Sequence, residues 1–205
     1  MSEGTEPLGA TPGFDASELL LPHLTSREAL NVAELDAVDQ AYNKHVYRAR
    51  KKRRGMKWLA DPFIRQVHLD MFGSVWGWAG KYRDNPVNIG MEAHVIREEI
   101  KKLCDDFLYW DSEQGSMSII EIAARLQNRL TRVHAFPNGN GRHARLITDI
   151  FFRSCDHRLP NWPQIQLLPQ GDAIRQGYIA AMKKADKEDY SELIKFIEDC
   201  LAQTL

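Results

Sequence analysis

Most apolar residues of this 205-residue chain return every three or four positions, the spacing that builds one face of an α-helix. Ala29, Leu30, Ala33, Ala37, Val38 and Ala41 mark a first face. It opens with Thr25-Ser26-Arg27-Glu28 in the form of a capping box and reaches toward Arg54, with Gly55 as its stop. Asp61-Pro62 reads as the start of a second helix, whose face is Phe63, Val67, Leu69, Met71 and Phe72 and whose end is near Gly73. Residues 98–110 and 118–133 are amphipathic, the latter opened by a capping box between Ser118 and Glu121 and lined by Ile119, Ile122, Ala123, Leu126, Leu130 and Val133. Another helix opens near Asn140, extends to about Cys155 and is broken by Leu159-Pro160-Asn161-Trp162-Pro163. Residues 171–184, with Ile174, Tyr178, Ala181 and Met182 on one face, and residues 190–202 complete the helical set.

Between these helices the period fails once. Residues 75–83 place Trp76, Trp78 and Tyr82 among glycines, which suits a tight connection pressed on a core, and His68 just before it reads as a structural histidine. In residues 83–96, Val87, Ile89, Val95 and Ile96 fall around the turn formers Asn85-Pro86 and Gly90, the pattern of a short β-hairpin. Six or more helices against one hairpin give a mostly α fold class. Residues 1–16 mix Gly, Pro, Thr and acidic residues without period and read as a mobile lead-in.

Composition adds bounds rather than a function. A 43% hydrophobic content over this length suits one globular domain, and a net charge of −1 gives no overall attraction to nucleic acid or membranes. The basic run at residues 48–54 reads as a solvated helix end favoured by the dipole, or as a patch for an acidic partner. Three widely spaced cysteines indicate neither a disulfide framework nor a zinc site. No apolar run approaches the ~18 residues of a membrane span and the first residues lack a leader pattern, so the expected location is cytoplasmic.

The chemistry concentrates in residues 134–145. Gly139 and Gly141 can turn successive N–H groups into one concavity, and a helix starting near Asn140 adds its unpaired first-turn donors and dipole. Arg142 and Arg145, one turn apart, can each grip a phosphate, and His134 ahead of the loop can take a hydroxyl proton near neutral pH. The chain has no GxxxxGK(S/T) sequence, so a P-loop is excluded. Seven residues of this twelve-residue stretch, His134, Phe136, Gly139, Asn140, Gly141, Arg142 and Arg145, match the pattern HxFx(D/E)GNGRxxR, and in this the chain resembles Fic (Fido) domain enzymes. The departure is Asn138 in the acidic position, which puts metal binding in question. The stretch Trp78-Ala79-Gly80-Lys81-Tyr82-Arg83, with Asn88-Ile89-Gly90, further resembles a Fic subgroup called mobile mystery protein B.

The resemblance implies a Fic-type helical bundle with a hairpin flap beside the motif loop: a flexible segment over 1–16, a helical element over 17–55 and a core domain over 56–205. It implies transfer of AMP from ATP, with Mg²⁺, to a Ser, Thr or Tyr hydroxyl of a protein target. By the same resemblance His134, Asn140 and Arg142 are catalytic, Gly139, Asn140, Gly141, Arg142 and Arg145 bind the phosphates, and Asn138 stands at the metal position. Val87, Asn88, Ile89 and Gly90 would dock the target by strand addition. Tyr178 and Asp186 stand where nucleobase and ribose contacts are expected, although Tyr178 also suits core packing and Asp186 a helix end. Many relatives carry an inhibitory helix with the pattern (S/T)xxxE(G/N), whose Glu pairs with the second motif Arg, here Arg145. Glu34 is the candidate, matching one position of three, against the plain reading of a surface carboxylate. Two other classes stay open: transfer or removal of another phosphate-linked group, and a weakly catalytic interaction module using the basic helix end.

Overall fold

The computed structural model describes residues 18–24, 26–47, 57–86, 89–112, 116–165 and 167–203. Helix α1 spans Arg27–Tyr42 and passes into a π-helical turn, Asn43–Tyr47; α2 is Asp61–Phe72; a 3-10 turn, Ala93–Val95, leads into α3, Ile96–Trp110. Then follow α4, Ile119–Val133, α5, Asn140–Ser154, α6, Ala173–Ala185, and α7, Ser191–Ala202.

The bundle is built around α5. Its Ala144, Leu146, Ile147, Ile150, Phe151 and Phe152 are all buried, and so are Asn140, His143, Arg145, Thr148 and Asp149, so this helix is buried nearly all round, chiefly against α4 and α2. Helix α4 lies along α5 with α3 and α7 on its other sides, α2 also meets α5, α1 covers α2, and α6 pairs with α7. Phe107 of α3 meets Phe151 edge to face, with ring centroids 5.4 Å apart. Each such buried side chain contributes about 1.5–3 kcal/mol of transfer free energy.

Local chemistry sets the helix starts. Ser118 Oγ accepts from Glu121 N at 3.1 Å, and Asp172 Oδ1 caps α6 by accepting from Ile174 N at 2.9 Å. At α1 the cap is Ser26, accepting from Ala29 N at 3.1 Å, one residue after the expected Thr25. Thr25, the lead-in 1–16, and the basic run with Gly55 lie outside the described residues. The π turn after α1 brings Lys44 and His45 onto one oxygen of Asp70 in α2, at 2.7 and 2.6 Å. Two positions assigned to apolar faces are exposed, Leu69 at 42% and Ile174 at 51%, because His68 and Arg175 take the inward positions beside them. Cys104 and Cys200 are buried free thiols, pushed up by burial to about 12 and about 11.

The hairpin is not formed. Among the described residues there is no strand, only an isolated antiparallel bridge between Leu19 and Trp76. The physical reason is visible at its base. The Arg83 guanidinium takes the carbonyls of Asn85 and Met91, and the backbone N–H groups of Arg83 and Met91 point to Ala135 and Val133 of the motif stretch, at 3.0 and 3.5 Å. The two arms bond to the His134 loop and to Arg83 instead of to each other. No helix of the described residues is long and apolar enough to cross a membrane.

Candidate active site

His134 is delivered by α4, the most sharply amphipathic part of the chain, and stands at its C-terminus in the left-handed conformation, φ 52° and ψ 54°. A non-glycine residue there costs roughly 1–2 kcal/mol, which the surrounding packing must hold in place. Its ring is 6% exposed and hydrogen-bonded to the Thr131 backbone. Burial, with help from the nearby Arg83 cation, lowers its pKa to about 4 against the opposing Thr131 bond, so the imidazole is neutral at pH 7.

After His134 the loop is fixed by side-chain amides and rings. Asn140 Oδ1 accepts from Phe136 N at 2.9 Å while its Nδ2 donates to Phe136 O at 2.8 Å, closing the turn on itself. Phe136 stacks on His68 with centroids 3.7 Å apart. Gly80 N donates to His68 Nδ1 at 3.0 Å, so Nε2 carries the proton and donates to Asn138 O at 3.0 Å. His68 is thus the structural histidine expected, and it also braces the loop. Gly139 sits at φ 76°, where a Cβ would meet Phe72 at 2.5 Å, so glycine is required twice over. Gly141 differs: the space over its Cα is open to Arg145 Nη1, 3.8 Å from where a Cβ would lie. No side chain caps α5, so its first-turn N–H groups are available beside this opening, and together they make the candidate anion recess.

The two motif arginines have separate surroundings. Arg142 Nη1 donates to Glu34 Oε2 of α1 at 2.7 Å, and its guanidinium lies 4.7 Å over the Phe72 ring. The other Glu34 oxygen accepts from Trp76 Nε1 at 2.7 Å, leaving the carboxylate 8% exposed. Glu34 is therefore not a surface carboxylate, and its partner is Arg142, not the expected Arg145; α1 crosses α5 at the level of its first turn. Arg145 lies deeper, 9% exposed, where its charge acts on Asp149. Asp149 itself accepts from Tyr42 Oη of α1 and from Trp162 Nε1 at 2.8 Å, and burial raises its carboxyl to about 7.

The remaining candidate residues have protein partners of their own. The Asn140 amide is spent on Phe136, so this side chain shapes the loop and only its backbone N–H faces the recess. Tyr178 packs its ring on Phe196 at 5.2 Å and receives Gln127 Nε2 at 3.1 Å, while Asp186 receives Asn128 Nδ2 at 2.9 Å; both tie α6 to its neighbours. Asn138 Oδ1 accepts from Gly139 N at 2.7 Å, and no group of three or more His, Cys, Asp or Glu suited to a metal occurs among the described residues. One neutral oxygen already engaged does not fit a protein-held Mg²⁺. Val87 and Asn88 lie outside the described residues; Ile89 is partly buried, and Gly90 is placed against His134. Sequence reading missed Arg83, Trp76, Tyr42 and Asp149; Asp149, an acid inside an otherwise apolar run, carried the one usable signal.

Residues 58–152 match the model of the Fic/DOC family. The chain is 26% identical over 197 residues to "Protein adenylyltransferase fic-1" of Caenorhabditis briggsae, covering 94% of this chain and 36% of that protein. It is 27% identical over 145 residues to "Protein adenylyltransferase Fic" of Drosophila virilis, covering 69% of this chain but only 28% of the relative's length. In fold it is similar to the N-terminal Fic domain of a Bartonella effector protein from Bartonella sp. AR 15-3, with TM-score 0.68, 16% identity and coverage of 92% and 88%. His134, the loop after it and the two motif arginines all lie within the segment, residues 58–152, that matches the Fic/DOC family model.

Proposed function

We propose that this chain is a protein adenylyltransferase, moving AMP from ATP to a Ser, Thr or Tyr hydroxyl of a protein. The observation that carries the reading is the neutral, buried His134 set beside the open N-terminus of α5 and its two arginines. In the proposed step the target oxygen attacks the α-phosphorus and its proton passes to the unprotonated nitrogen of His134. The bond to the bridging oxygen breaks, and pyrophosphate leaves with the electron pair. First-turn N–H groups of α5 hold the transferred phosphate, while Arg142 and Arg145 offset charge on the departing group. The names of the relatives support this, as does the AMPPNP bound to the BepC protein of Bartonella tribocorum, whose fold is shared at TM-score 0.62.

Mg²⁺ enters this reading on the nucleotide's own phosphates, since Asn138 supplies no charge. Asn138→Asp is expected to lower the Mg²⁺ concentration for half-maximal transfer, and a Mg²⁺ titration of both chains checks it. Target docking is assigned to residues 87–90, of which Gly90 lies against His134, and the nucleobase and ribose contacts to Tyr178 and Asp186. The element over 17–55 acts as a restraint, because Glu34 holds Arg142, one of the donors the triphosphate needs. The mobile mystery protein B grouping is supported by the stretch from Trp78 to Gly90 alone. The reading is tested with α-phosphate-labelled ATP and cell lysate: His134→Ala should abolish labelling by ~10²- to 10⁴-fold while ATP affinity stays within a few-fold. Full labelling by the mutant would remove His134 from the base role.

A further inference from the structure

We propose that Arg83, outside the motif, is the positioning residue of this site: its guanidinium ties the peptide carrying His134 to both ends of the flap segment, so that base and docking loop are held as one unit. The inference rests on the reading of His134 as the base. Arg83 is 5% exposed, yet all three side-chain bonds go to peptide carbonyls: Nε to His134 O at 2.7 Å, Nη1 to Asn85 O at 3.0 Å, and Nη2 to Met91 O. A buried cation is costly, and three carbonyls converging on one planar fork is an arrangement only arginine can serve. Asn85 and Met91 flank the flap on either side, and the backbone N–H of Arg83 adds a bond to Ala135 O at 3.0 Å.

The close approach is confirmed at Gly90. With φ at 99°, a Cβ on this residue would run into the Cβ of His134, with His134 Cγ at 3.2 Å and Arg83 Nη2 at 3.3 Å. The flap backbone therefore rests directly on the residue bearing the imidazole. Burial is the main cause of the lowered His134 pKa; the Thr131 backbone opposes it, the same guanidinium adds to it, and the Glu92 carboxylate acts on Arg83 in turn. Geometry and charge are thus supplied by one side chain. They are separable, since lysine keeps the charge but not the fork, and glutamine keeps neither.

The experiment compares Arg83→Lys and Arg83→Gln in the full chain. It follows ATP affinity, the kcat and KM for transfer from α-labelled ATP, and the His134 ring titration by nitrogen NMR. Both variants should bind ATP within a few-fold of the parent, and both should lose about 10²-fold in kcat, the effect of roughly 1 Å of misplacement. The His134 pKa should rise in Arg83→Gln and stay near the parent value in Arg83→Lys. Unchanged kcat in Arg83→Gln would overturn the proposal, as would an unmoved His134 titration. Loss of ATP binding and cooperative melting in both variants would also overturn it, making Arg83 a residue of the general fold. If the parent chain transfers nothing, the proposed reaction fails while the ring titration still decides the role of Arg83.

Discussion

At the scale of single residues, His134 joins a strained backbone to a ring that burial keeps neutral, and both follow from its place at the end of α4. A base works only unprotonated, and with its pKa lowered from 6.5 to about 4 the ring stays so across the physiological range. Transfer is expected to be flat from pH 6 to 8 and to fall only as pH drops toward about 4, which a pH–rate profile checks; a half-point near 6.5 would mean an exposed ring. Asn140 supports the same loop from the other side. Asn140→Ala removes both bonds to Phe136 and leaves a buried backbone N–H unpartnered, which should cost about 1–3 kcal/mol in a denaturant melt and weaken ATP binding with it. That residues 134–145 form a tight loop leading into a helix was legible, because Gly139 is needed for the turn and Asn140 opens α5. Which way the Asn140 amide would turn was not, since an amide can serve a ligand or its own backbone equally well.

At the scale of elements, α1 is held on its neighbours at three levels: Glu34 on Arg142 and Trp76, Tyr42 on Asp149, and Lys44 with His45 on Asp70. Tyr42, the last residue of α1, joins that helix to α5 through Asp149. Tyr42→Phe should lower stability by about 1–3 kcal/mol and raise auto-modification by loosening α1, seen in a melt and a labelling assay run together. Asp149 gives this contact a pH dependence. Its carboxyl is raised to about 7, so the stability it contributes is fully present below its ordinary value of 3.8 and is lost as pH rises through about 7. Asp149→Asn should flatten the fall in melting temperature between pH 5 and 8; an identical slope in both chains would place the titration elsewhere. The helices themselves were readable from period and caps, and most boundaries moved by only one or two residues, as at Ser26; the end of α1 is the exception, since the α-helix gives way to a π turn at Asn43 and residues 48–56 lie outside the described residues. The hairpin was misread because alternation and turn residues report a bend, and nothing in them revealed that Arg83 would take the carbonyls a strand pair needs.

At the scale of the whole molecule, the chain packs one almost wholly buried helix, α5, against α4, α2 and the π turn, and α1 reaches the first turn of that helix through Glu34 and Arg142. The mostly helical fold class was legible because it is written locally, in helical period and caps. The meeting of Glu34 with Arg142 was only half legible: the carboxylate could be picked out, but its partner depends on how α1 crosses α5, a long-range fact no local pattern encodes. The central claim is that this recess transfers a nucleotidyl group through His134 and that Glu34 restrains it. The direct test incubates the parent chain, Glu34→Gly and Glu34→Gly with His134→Ala, each with ATP labelled at the α- or at the γ-phosphate. The account predicts protein-bound label from the α-position only, raised about tenfold or more when Glu34 is removed, in line with an allosteric-scale coupling of 1–3 kcal/mol, and lost when His134 is also removed. Label from the γ-position, no rise in Glu34→Gly, or undiminished labelling without His134 would contradict it.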